Sequence, residues 1–139
     1  MTSANIRSVA ADSNVLLAAI AGRAAKRVFE KSELVVVTTE VNLEEVREYL
    51  PEFAHRYGLE EEILLEVLEL LPVGVYSESD YITHINQARK VLAGRDDDDV
   101  ALEALALKLK VPVWSNDDDF EDHPYGMFTT AKLIKVLGV

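Results

Sequence analysis

Hydrophobic positions follow two alternating rhythms along this chain. Short, mostly apolar runs occupy residues 6–11, 34–38, 73–76 and 111–115, and longer stretches with an apolar residue every three or four positions lie between them. A β-branched run such as LVVVT at 34–38 suits a strand covered on both faces, as parallel strands are. Across 59–71, Leu59, Ile63, Leu64, Val67, Leu68 and Leu71 are interleaved with Glu60, Glu61, Glu62, Glu66 and Glu69, the stripe of an amphipathic helix. Pro72 ends it. Further helices are expected at 14–32 with a break at Gly22, at 41–50 with a stop at Pro51, at 79–93 closed by Gly94, at 100–109 and at 131–137. Residues 127–129 read as a last edge strand. Because 100–109 is apolar almost all round, that helix is expected to be buried. The alternation predicts an α/β fold, a three-layer α/β/α sandwich with a mostly parallel central sheet.

Length and composition narrow this picture. A chain of 139 residues that is 49% hydrophobic is expected to form one domain, 1–139, with a real core. With no cysteine, disulfides and thiolate-bound zinc are excluded. The first residues show no apolar core behind a basic start, and no run approaches the roughly 18 apolar residues of a membrane span. A soluble, cytoplasmic protein is expected. The net charge of −11, from 25 acids against 14 Lys and Arg, argues against a surface that grips nucleic acid unaided. Two local basic clusters offset it, Arg23 with Lys26, Arg27 and Lys31, and Arg89 with Lys90 and Arg95. Each also reads as a solvated helix face.

The acids carry the chemistry. Asp12 follows the first strand, the run Asp96, Asp97, Asp98 and Asp99 precedes the buried helix, and Asp117, Asp118 and Asp119 follow the fourth strand. In a parallel α/β sheet the carboxyl ends of neighbouring strands share one edge, so acids remote in sequence meet there. Glu45, on an intervening helix, makes a fourth member. Carboxylate oxygens suit Mg²⁺ or Mn²⁺, and the leading use of such a site is phosphodiester hydrolysis. Each acid also has a plain structural role: Asp12 as a helix N-cap, Asp97 and Asp98 in a solvated loop, Asp117–Asp119 in a turn, Glu45 on a surface. Recurrence at one sheet edge favours a shared site, since carboxylates packed together repel without a cation. His55, His84 and His123 lack catalytic spacing and read as structural or surface residues. Trp114, within a strand, reads as core.

These motifs resemble the PIN-domain ribonucleases. The likeness rests on Asp-Ser-Asn after the first strand, a Thr six residues before the Glu that opens EVREYL, an Asp opening a hydrophobic helix, SNDDDF after a Val-rich strand, and the closing FTTAKLIKVL. It spans nearly the whole chain. The resemblance implies Asp12, Glu45, Asp99 and Asp117 as catalytic acids holding Mg²⁺ or Mn²⁺, with Asp96 the second choice for the third acid and Asp119 a possible extra ligand. Asn14 and Ser115 match small polar residues that support the acids, Ser115 standing where Thr is usual. The four consecutive aspartates depart from the pattern and leave the register of the third acid open. Small PIN proteins resemble VapC, the toxin of VapBC toxin–antitoxin pairs, which implies an RNA substrate, an antitoxin protein and a homodimer.

Other readings fit less well. A haloacid-dehalogenase-type phosphotransferase wants a second Asp two residues after the first, where this chain has Asn14, and a response-regulator receiver wants adjacent acids near the first strand and a late Lys. The alternative from another class is a PIN-fold RNA- or protein-binding module without significant catalysis.

Overall fold

The structure is a computed structural model that describes residues 6–94 and 97–139. Asp96 and Arg95 lie outside the described residues, as do residues 1–5.

Five parallel strands form one sheet: β1 (Ser8–Ala11), β2 (Val35–Thr39), β3 (Val73–Tyr76), β4 (Val113–Trp114) and β5 (Met127–Phe128), in the order β3-β2-β1-β4-β5. The strands before β4 extend the sheet in one direction from β1, and β4 and β5 extend it in the other. The order therefore reverses between β1 and β4, the switch point where crevices open beyond the carboxyl ends of strands. Successive residues point to opposite faces: Val9, Ala11, Val36 and Trp114 enter one apolar cluster, Ala10, Val37 and Val113 the other.

The first cluster is covered by α1 (Ser13–Ile20), α2 (Ala25–Lys31), α3 (Glu40–Tyr57), α4 (Glu61–Leu70) and α8 (Thr130–Leu137). The second is covered by α5 (Glu78–Tyr81), α6 (Ile85–Leu92) and α7 (Val100–Leu109). Helices thus lie on both sides of a parallel sheet, the three-layer α/β/α arrangement. The core of α7 is buried from Val100 through Leu107, Glu103 included. Trp114 is fully buried; its indole donates to Thr130 Oγ1 at 3.0 Å and its ring lies 5.5 Å from Phe29. It is core, and truncation to Ala would cost about 3–5 kcal/mol.

Two helix boundaries differ from expectation. Rather than stopping at Pro51, α3 runs to Tyr57 and ends on Gly58 in the left-handed conformation, whose N–H reaches the Ala54 and His55 carbonyls. Pro51 removes one helical hydrogen bond. The buried stripe of Val46, Leu50 and Ala54 nonetheless continues past it, so packing overrides the local penalty. The helix expected at 79–93 is broken into α5, a 3₁₀ turn at Ile82–His84 and α6, and its left-handed end falls at Ala93, one residue before Gly94.

Candidate active site

Asp12 leaves β1 beside the switch point and caps α1, its Oδ1 accepting from the Ser13 N–H at 2.8 Å. The capping role and the site role coincide, because the residue that starts the helix also stands at the strand's carboxyl end. Its Oδ2 accepts from Ser115 Oγ at 2.9 Å, and Ser115 directly follows β4 on the neighbouring strand. Asn14 ties the two strand ends together: its amide nitrogen lies 3.4 Å from Asp12 Oδ2, 3.4 Å from Ser115 Oγ and 3.1 Å from Asp117 Oδ2. Asp117 Oδ1 in turn accepts from the Asp119 N–H at 2.9 Å. Both supporting residues named from the sequence therefore hold acids in place.

Glu45 arrives from the other side. Thr39 caps α3 by accepting from the Asn42 N–H at 3.0 Å, and its hydroxyl donates to Asn42 Oδ1 at 2.6 Å. The Asn42 amide then donates to Ser13 Oγ at 2.9 Å. This buried network locks the start of α3 to the start of α1, so Glu45, nearly one turn after Asn42, faces the Asp12 cleft. Nothing in residue type alone marked Asn42 and Ser13 as its fasteners.

One open cleft of about 210 Å³ is lined by Asp12, Glu45, Asp98, Asp99, Asp117 and Asp119, with Tyr49 and Leu17 at its border. Asp98, expected in a solvated loop, lines it; Asp97 lines a different depression, beside Arg89 and Glu78. No Lys or Arg lines the cleft among the described residues. Burial, above all, pushes Asp12 up to about 6, and Asp117 and Glu45 add to the rise while the Ser115 and Ser13 hydrogen bonds oppose it. Asp99 is pushed up to about 8, first by burial and then by Asp12, Asp119 and Asp117. Its Oδ2 is buried with no hydrogen-bond partner among the described residues.

These features fit a hard divalent cation. Crowded carboxylate oxygens whose pKa values are raised by burial and by one another would be relieved by a positive charge. Among the described residues, no three of the acids close into a ready-made metal cage. An open cleft of this kind suits Mg²⁺, which keeps several waters and uses one or two carboxylates together with substrate phosphate.

The loop after β4 is pinned from below. Phe120 is buried, and His123 Nδ1 pairs with Glu103 Oε2 of α7 at 2.5 Å while Nε2 donates to the Val111 carbonyl at 2.7 Å. The Val111 carbonyl can only accept, so Nε2 is the donor there and Nδ1 is the nitrogen that meets Glu103. His123 is thus structural, as expected. Glu103 is the one acid inside the helix expected to be buried, a signal that a partner was needed but not which one.

The family model of the PIN domain matches residues 10–134. The chain belongs to the PIN domain family. Two solved structures share its fold. The crystal structure of VapBC2 from Rickettsia felis bound to a DNA fragment from their promoter aligns with a TM-score of 0.65 at 10% identity, covering 88% of this PIN domain chain and 98% of that one. A toxin-antitoxin complex from Klebsiella pneumoniae aligns with a TM-score of 0.61 at 19% identity, covering 86% and 96%. At these identities the likeness speaks for the fold of the PIN domain. Among curated proteins none matches the chain. No helix among the described residues is long and apolar enough to cross a membrane.

Proposed function

We propose that this PIN domain, as a single domain over 1–139, is a Mg²⁺- or Mn²⁺-dependent endoribonuclease and the toxin of a toxin–antitoxin pair. Asp12, Glu45, Asp99 and Asp117 are its essential acids. Asp119 is an additional ligand, and Asp96 the other candidate for the third position. The observation that carries this reading is the convergence of carboxylates from four chain segments on one cleft at the switch point, with no cationic side chain lining it among the described residues.

Asp12, Asp99 and Asp117 would hold the cation, with Glu45 reaching it directly or through water. When bound, the ion supplies charge stabilisation for the phosphoryl oxygens and lowers the pKa of water. The protein's own residues do the rest. Ser115, Asn14 and the Ser13 N–H fix the directions of Asp12 and Asp117, so little reorganisation is needed during reaction. Among the described residues no Lys or His lines the cleft, and the Ser13 hydroxyl that does is held by Asn42. Water attacks phosphorus in line with the leaving 3′ oxygen, the P–O3′ bond breaks, and the products carry a 5′ phosphate and a 3′ hydroxyl. Surplus carboxylates of the cleft accept the proton that water gives up.

The Klebsiella neighbour is a toxin-antitoxin complex and the Rickettsia neighbour is VapBC2 on its promoter DNA, which supports an antitoxin protein as a partner here. A homodimer belongs to the same reading. End-labelled single-stranded RNA incubated with the purified protein should be cut in Mg²⁺ or Mn²⁺ and spared with a chelator. Cleavage that ignores the chelator would reject the cation, and binding without cleavage under any divalent ion would make the protein a binding module.

A further inference from the structure

Next to the acidic cleft lies a second groove of about 180 Å³, lined by Leu17, Tyr49, Glu52, Phe53 and Arg56. The two depressions share Leu17 and Tyr49, so the Tyr49 ring borders both. Tyr49, Glu52, Phe53 and Arg56 stand at i, i+3, i+4 and i+7 of α3, one face of the helix. Beyond them the row continues. Phe53 packs against Tyr57 at 4.9 Å, and the Arg23 guanidinium lies 4.5 Å from the Tyr57 ring centre and 5.9 Å from that of Phe53.

The core does not account for Tyr49, which is 54% exposed. An aromatic ring at the lip of a carboxylate cleft, followed by two arginines, matches what unpaired RNA needs: planar groups on which bases stack and guanidinium groups for phosphates. The whole-chain charge opposes RNA binding at long range. At −11 the protein has no long-range attraction for a polyanion, so affinity must come from local contacts, and stacking does not depend on net charge. At about 180 Å³ the groove has room for one planar ring.

We propose that this groove is a nucleoside subsite. It rests on the reading above that the acidic cleft takes an RNA phosphodiester. The unpaired base adjoining that phosphodiester stacks on Tyr49, and Arg56 and Arg23 meet the phosphates of the nucleotides that follow. Glu52, which lines the groove, can only accept hydrogen bonds when ionised, so it meets a donor on the base edge, an exocyclic amino group or a ring N–H.

The test uses short single-stranded RNA with 2-aminopurine at one position, added to the full-length protein in Mg²⁺, with fluorescence read at mixing, before cleavage. Wild type should quench the probe. Tyr49→Ala should lose the quench and bind on the order of tenfold more weakly, while Tyr49→Phe retains both. Arg56→Gln, at an exposed position, should weaken binding and flatten its salt dependence. Quenching that requires Tyr49 in a protein that never cuts RNA would sustain the subsite and reject the nuclease reading. Normal cleavage with unchanged affinity and quench in Tyr49→Ala and Arg56→Gln would overturn the subsite and leave the nuclease reading intact. Unchanged RNA binding with loss of a protein partner in those variants would overturn it equally.

Discussion

Replacing Asp12 by Asn should abolish RNA cleavage and yet make the cation-free protein more heat-stable at pH 8. The magnitude follows from the site. Burial pushes the Asp12 carboxyl from 3.8 up to about 6, a rise of roughly two units, or about 3 kcal/mol. The sign is set by which state binds protons more tightly. The folded state does, so the stability is fully present below about pH 4 and is lost as pH rises through about 6. At pH 8 the ionised, buried Asp12 therefore weighs against the fold by about 3 kcal/mol, and at pH 5 about half of that cost has gone. Asn removes the charge and keeps one oxygen for the Ser13 N–H, but it turns an N–H₂ group toward donors at Ser115 and Asn14. Losing those hydrogen bonds costs about 1 kcal/mol. The net gain is about 2 kcal/mol at pH 8, or about 6–8 °C in melting temperature, shrinking toward zero at pH 5. Thermal melting of both proteins with chelator at the two pH values checks this. A variant less stable than wild type at pH 8, or a difference that does not change with pH, would refute the electrostatic reasoning.

Asp117→Asn should likewise eliminate cleavage, whereas Asp97→Asn, which lies off the cleft, should cut RNA nearly as wild type does; an RNA cleavage assay in which Asp97→Asn is the more damaging would place the third acid in another register. His123→Phe leaves Glu103 buried without its partner and should cost about 3–5 kcal/mol in denaturant unfolding. The double variant Glu103→Leu/His123→Phe should cost less than that single change, and additive losses would show that the pair is not coupled. Light scattering at micromolar concentration should report twice the 15.5 kDa of one chain, and a mass of one chain would reject the dimer.

Much of this arrangement was legible in the sequence because its signals are local. The apolar runs located every strand, and the position of Asp12, Asp99 and Asp117 at strand ends or helix starts placed them on one edge of a parallel sheet. Glu45 was legible only through its resemblance to the family, since one glutamate among many has no local mark. Pro51 misled, because a local rule about helix interiors was outweighed by the long-range packing of Leu50 and Ala54. The fasteners Asn42 and Ser13, and the Glu103–His123 pair beneath the acidic loop, were illegible for the same reason: each depends on a contact between residues 20 or more positions apart. Asp98 entered the cleft through the path of the turn at Asp97–Asp99, which the run of identical residues concealed.

The central claim is that the Asp12 cleft is both the cation site and the place of cleavage. Titrating Mn²⁺ while recording melting temperature and RNA cleavage rate on the same preparation tests both halves together. The two curves should rise with a common midpoint, and both responses should vanish in Asp12→Asn. Cleavage that persists in Asp12→Asn or in chelator, or a melting response that survives the substitution while cleavage is lost, would contradict it.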